Sequence, residues 1–149
     1  MKFIIDADAC PKFVLSYVTE FAKKEGLELI TVANFNHQIN SANHICVGGN
    51  SQEADLKVAN ITRPDDLIIT QDWGLAALIV SKGAYAISPT GKVFSLENID
   101  FLLEERELKA RFRRSGGRTK GSTKRTAEDD KKFIKNFNNL FTEIQLKDK

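Results

Sequence analysis

Five short apolar runs, "FII" (3–5), "LELITVA" (27–33), "HICV" (44–47), "DLIIT" (66–70) and "AYAI" (84–87), alternate along the chain with stretches of helical periodicity. Short β-branched runs bounded by charges or turn formers are those of strands buried on both faces. Alternation of strand and helix predicts a mostly parallel central sheet with right-handed crossovers and helices on both faces, a three-layer α/β fold. The helical stretches carry their own punctuation. "PKFVLSYVTEFAKKEG" sets Phe13, Val14, Tyr17, Val18 and Phe21 on one face, with Pro11 suited to the first turn and Gly26 to the C-terminal cap. "SQEADLKVANI" opens with Ser51 as N-cap, and "WGLAALIVSKG" ends at Gly83.

With 149 residues and 42% hydrophobic content the chain suffices for one compact domain. "MKFIIDADACP" meets an acid after three apolar residues, unlike a signal peptide, and no run approaches the roughly 18–20 apolar residues of a membrane span. A soluble, cytoplasmic protein is expected, with no membrane partner. Cys10 and Cys46 fit neither a disulfide framework nor a zinc site, so buried or half-buried free thiols are expected. "LENIDFLLEERELKARFRR" reads as a helix ending at Gly116–Gly117, "RTKGSTKRT" has the composition of a mobile loop, and a last amphipathic helix carries Phe133, Phe137, Leu140, Phe141 and Ile144. Thr126, with Asp129 three residues on, caps that helix. The expected organisation is an α/β domain over 1–112, with 113–149 a basic loop and C-terminal amphipathic helix packing on the same domain.

The net charge of +2 hides an asymmetry: residues 1–100 carry 8 Lys+Arg against 12 Asp+Glu, and 101–149 carry 14 against 8. The stretch "RELKARFRRSGGRTKGSTKRT" (106–126) holds nine basic residues and one acid. Density of that kind suits a phosphate-rich partner, and Arg113, Arg114, Arg118, Lys120, Lys124 and Arg125 are the candidate nucleic-acid contacts. A solvated basic face is the plainer reading of the same run.

Asp6 and Asp8 close the first strand, where alternation allows both to point one way. Asp72 follows a buried strand by two residues, and Asp55 lies early in the helix after "HICVGGN". Three strand-to-helix junctions thus deliver carboxylate to one sheet edge, the usual ligand crevice of parallel sheets. Clustered carboxylates repel unless a cation neutralises them, and an all-oxygen set selects Mg²⁺ or Mn²⁺ over zinc. Such ions support phosphodiester cleavage. Each residue also has a plainer reading. Asp8 caps the helix opening at Pro11, Asp72 caps "WGLAALIV", and Asp55 is an exposed helix charge. Thr70 is a β-branched strand residue and Asn34 a turn former, though both can hydrogen-bond at that edge, as can Ser51; the polar loop 35–43 borders it. Trp73 either stacks on a base or wedges into the core. His37 and His44 have no metal spacing.

"DADACP", "ADLKVANI", "DLIITQDWGLA", "KGAYAISPTGKVFSLENI" and "RRSGGRTKGS", in this order, resemble the YaiI/YqxD family through almost the whole chain. The family has no assigned activity; its fold is held similar to PIN domains, metal-dependent nucleases. The resemblance implies a PIN-like metal site in which Asp6 is the strand-end acid, Asp55 the mid-chain acid, and Thr70 with Asp72 the "Thr-x-Asp". Two departures stand out: Ser122 lies where relatives are expected to carry proline, and the later acid of many PIN nucleases is absent from "QDWGLAALIV", so that Asp8 substitutes for it.

The leading expectation is a Mg²⁺- or Mn²⁺-dependent nuclease acting on RNA or on structured or single-stranded DNA, with Asp6, Asp8, Asp55 and Asp72 as ligands. A nucleic-acid-binding or regulatory module without turnover is the runner-up. "FIIDADAC" also fits a phosphatase with an aspartyl nucleophile, but "RPDDL" sits before a strand, the wrong end for its further acids.

Overall fold

The computed structural model describes residues 1–8, 10–34, 43–48, 51–117 and 124–147. Strands β1 (Lys2–Asp6), β2 (Glu28–Asn34), β3 (His44–Val47), β4 (Leu67–Ile69), β5 (Tyr85–Ile87) and β6 (Val93–Phe94) form one sheet in the order β3-β2-β1-β4-β5-β6. All neighbours pair in parallel except β6, which turns back antiparallel on β5. The five sequence runs therefore become the five parallel strands. The short antiparallel β6 is an addition that a two-residue Val-Phe run does not announce.

Side chains alternate across the sheet. Phe3, Ile5, Leu67, Ile69 and Ile87 face one way, while Ile4, Val32, Ile68 and Ala86 face the other. The first face is covered by helices α1 (Lys12–Glu25) and α5 (Ala127–Lys147), and the second by α2 (Ser51–Ile61), α3 (Trp73–Ser81) and α4 (Ile99–Arg114). Both faces being buried is why the strands read as continuous apolar runs rather than alternating ones. The three-layer α/β arrangement is the one expected.

The aromatic stripe of α5 is core. Phe133, Phe137, Leu140, Phe141 and Ile144 are buried, and Phe137 meets Phe3 edge-on at 5.5 Å between ring centroids while Phe141 meets Phe21 at 4.9 Å. Such edge-to-face pairs add to the area they bury. The start of α5 is closed as expected: the Asp129 carboxylate accepts from the Thr126 backbone N–H at 3.0 Å. At α1 the cap differs by one residue, because Pro11 is the N-cap and has no side-chain capping bond, whereas Gly26 closes the far end at φ +68°. Phe13 is exposed, and Val14, Val18 and Ala22 are the residues that bury. Ser51 is the first helical residue of α2 rather than the residue before it.

Turn 88–92 joins β5 to β6 and is pressed against α5. Gly91 has φ +89°, a Cβ there would stand 2.8 Å from the Lys132 carbonyl oxygen, and Asn136 Nδ2 donates to the Gly91 carbonyl at 2.7 Å. Only glycine suits that combination of φ and close approach. At the N-terminal edge of β4, buried Asp66 accepts from the Lys2 and Arg63 backbone N–H groups and pairs with the Lys2 ammonium. Among the described residues, no helix is long and apolar enough to cross a membrane.

Candidate functional site

β1 connects to β2 on one side and β4 to β5 on the other, so the carboxyl ends of β1 and β4 flank the point where strand order reverses. Ligand crevices of open α/β sheets form there. Asp6 ends β1 with the parity of Ile4, toward the face that carries α2. Thr70, just past β4 and buried, donates from Oγ1 to Asp6 Oδ2 at 2.9 Å and accepts from the Asp72 backbone N–H at 3.0 Å. One hydroxyl thus fixes both the strand-end acid and the turn that presents the next one.

Asp72 is the N-cap of α3, its Oδ1 accepting from the Leu75 N–H at 3.0 Å. The capping reading of Asp72 is met, and it leaves the second carboxylate oxygen for the cavity. Asp8 does not cap α1. Its Oδ1 accepts from the Asn34 N–H at 3.2 Å, tying the loop after β1 to the end of β2. Asp55 comes from α2, whose Ala54 and Val58 are buried against the sheet, and its carboxyl faces the same cavity as that of Asp72.

Asp6, Asp8, Asp55 and Asp72 line one cavity of about 480 Å³ together with Gln71, Trp73 and Arg106. Their electrostatics are those of crowded acids. Burial first, then the charges of Asp8 and Asp72, push Asp6 up to about 6 against the opposing Thr70 hydrogen bond. Asp55 is pushed up to about 7 by burial, by the charge and hydrogen bond of Asp72, and by Asp6 and Asp8. Among the described residues, no three His, Cys, Asp or Glu side chains stand close enough to form a ready-made metal shell. The acids surround a space rather than close on a point.

The model of the uncharacterised YaiI/YqxD family matches residues 4–143. The chain belongs to the YaiI/YqxD family. It is similar to a "UPF0178 protein" of Heliobacterium modesticaldum, 54% identical over 133 residues that cover 89% of this chain and 91% of the relative. A "UPF0178 protein" of Clostridium perfringens is 41% identical over 147 residues, 97% of each chain, and one of Exiguobacterium sibiricum 41% identical over 145 residues, 96% and 98%. No solved structure gives a significant match.

In this YaiI/YqxD member the basic residues divide. Arg113 and Arg114 are exposed on the last turn of α4, with Arg114 Nη2 3.4 Å from Glu107, and Lys124 is exposed. Arg118 and Lys120 lie outside the described residues, as do His37, residues 35–42 of the polar loop and the side chain of Ser51. Arg125 is half-buried: Nε donates to Asp130 Oδ1 and Nη1 to the Pro89 carbonyl, both at 2.7 Å. Arg106 and Gln71 join the cavity wall without a sequence signal that marks them. Arg106 lies within the basic stretch, but only the packing of α4 beside α3 brings it to the acids.

Asn34 contributes its backbone N–H to Asp8. Trp73 packs partly into the core and also lines the cavity, so its two readings coexist. His44 Nδ1 lies 2.7 Å from Thr31 Oγ1, joining β3 to β2. Cys10 and Cys46 are free; burial, helped by Asp6, pushes the Cys10 thiol up to about 12, whereas Cys46 is exposed on the edge strand rather than buried. Asp65 and Asp66 sit at the opposite edge of the sheet from Asp6, which removes them as partners for an aspartyl nucleophile.

Proposed function

We propose that this YaiI/YqxD member is a divalent-metal-dependent nuclease with a PIN-like acidic site, acting on RNA or on structured or single-stranded DNA. The observation that carries this reading is the convergence of Asp6, Asp8, Asp55 and Asp72 on one cavity at the strand-order reversal. Carboxylates at that edge, raised by burial and mutual repulsion, are what an incoming cation would relieve. The donor set is all oxygen, which suits Mg²⁺ or Mn²⁺. The open spacing fits Mg²⁺ in particular, because that ion keeps several waters and takes one or two carboxylates plus substrate phosphate instead of a closed protein cage. When bound, such an ion supplies a Lewis acid for the phosphoryl oxygen and lowers the pKa of water.

In this reading Asp6, Asp8, Asp55 and Asp72 hold the cation, Thr70 orients Asp6 and Asp72, and Asn34 orients Asp8. Ser51 belongs to the site's border. Arg106, Arg113, Arg114 and Lys124, with Arg118 and Lys120, carry the strand's phosphates to the acids. The test is cleavage of labelled single-stranded RNA, single-stranded DNA and a stem-loop in Mg²⁺ or Mn²⁺. Asp6→Asn and Asp72→Asn are each expected to reduce it by about 100-fold or more, the scale of losing a principal electrostatic group. Cleavage that survives both unchanged overturns the assignment.

A module that binds nucleic acid without turnover is the second reading, favoured by the same spacing of the acids, which by itself closes no metal shell. Salt-sensitive binding, lost on neutralising Arg113, Arg114 and Lys124, with no cleavage in any divalent ion, would select it.

A further inference from the structure

Beside the carboxylate cavity lies another of about 420 Å³, and the two share Gln71 and Trp73. Its remaining walls include Ser88, Thr90, Lys92 and Arg125. The acidic cavity repels a polyanion; its neighbour offers donors.

The Arg125 guanidinium is fixed in place by Asp130 and the Pro89 carbonyl, yet its Nη2 is buried and has no hydrogen-bond partner among the described residues. A buried guanidinium N–H without an acceptor is costly, and Arg125, which carries it, lines this cavity. Lys92 Nζ rests over the Trp73 ring, 5.1 Å from its centroid, rather than on a carboxylate. Thr90 Oγ1 lies 3.0 Å from Ser88 Oγ, which in turn accepts from the Lys92 N–H at 3.0 Å. The turn bearing these groups is held against α5 through Gly91, so they are set before any ligand arrives. Asp129 also lines this cavity, but its Oδ2 accepts from the Thr126 N–H, and Asp130 is engaged by Arg125 Nε. The cavity wall thus sets the Arg125 guanidinium, the Lys92 ammonium and the Ser88–Thr90 hydroxyl pair together, two cations and hydroxyls against the one Asp129 carboxylate, a set suited to a tetrahedral oxyanion.

We propose that the second cavity is a phosphate subsite that holds the strand phosphate next to the one presented to the carboxylates. That the phosphate belongs to a polynucleotide rests on the nuclease reading; the donor set itself does not.

Trp73 is the single tryptophan, so its fluorescence reports on both cavities. The full chain is titrated in EDTA with a short single-stranded oligothymidylate and, separately, with inorganic phosphate. Both probes are expected to change the emission saturably. Lys92→Ala and Lys92→Gln should each raise the oligothymidylate midpoint about tenfold, the loss of one charge-assisted hydrogen bond, and Thr90→Val should raise it by a smaller factor. Melting curves establish that the variants fold, and midpoints rather than amplitudes are compared because Lys92 touches the fluorophore. No response to either probe, or an unchanged oligothymidylate midpoint in both Lys92 variants, overturns the subsite. So does weakening confined to inorganic phosphate, which would mark a free-ion site. With no metal present, these outcomes are independent of the cleavage result for Asp6→Asn and Asp72→Asn.

Discussion

Thr70 and Asp6, 64 residues apart in sequence, meet through a 2.9 Å hydrogen bond where β4 and β1 end side by side. The same Thr70 oxygen accepts the Asp72 N–H, so a single hydroxyl positions two of the four acids. Thr70→Val keeps the shape and removes both bonds. It is expected to destabilise the fold by about 1–3 kcal/mol, as for buried polar groups left unsatisfied. Thr70→Ser should recover most of that loss. Urea unfolding of the three proteins checks it.

The carboxylate cluster makes stability fall as pH rises. Asp6 at about 6 and Asp55 at about 7 both lie above the ordinary 3.8, so between pH 4 and 7 the folded chain binds more protons than the unfolded one. Stability contributed by the protonated forms is full below the ordinary value and is lost as pH rises through 6 to 7. In EDTA the melting temperature should therefore be higher at pH 5.5 than at pH 8, and Asp6→Asn with Asp55→Asn should flatten the difference. A pH-independent gap between the wild type and this double variant would contradict it.

Divalent ions should act in the opposite sense, because they compete with those protons. Mn²⁺ at about 100 times its dissociation constant should stabilise the fold by about 2.7 kcal/mol. The effect should be greater at pH 8 than at pH 6 and should vanish in Asp72→Asn. Calorimetric melts with and without Mn²⁺ measure it.

Phe137 sits at the centre of the aromatic packing between α5, α1 and β1, in edge-on contact with both Phe3 and Phe21. Phe137→Ala should cost about 3–5 kcal/mol. Exposed Phe101 on α4 is the contrast, and Phe101→Ser should stay within about 0.5 kcal/mol. Denaturant midpoints distinguish the two.

Much of this was legible in the sequence wherever one physical constraint dominated. Burial on both faces made β1 to β5 visible as apolar runs, and the period of Phe133, Phe137, Leu140 and Ile144 marked α5 as a packed helix. The placement of Asp6 and Asp72 at one sheet edge was legible because strand ends and helix starts can be read locally. What stayed hidden depends on long-range contact. β6 is two residues held by the turn after β5 and by Asn98 Nδ2 donating to the Val93 carbonyl. The partner of Asp8 is Asn34 across the sheet edge, not the helix beside it. Arg106 and Lys92 reach the two cavities through helix and turn packing that no local pattern encodes.

Anomalous diffraction from crystals of the intact chain grown or soaked in Mn²⁺ tests the central claim that the four acids form one cation site. A manganese peak is expected inside the cavity bounded by Asp6, Asp8, Asp55 and Asp72, lost in Asp6→Asn. An empty cavity at saturating Mn²⁺, or a peak only at other carboxylates, would contradict it.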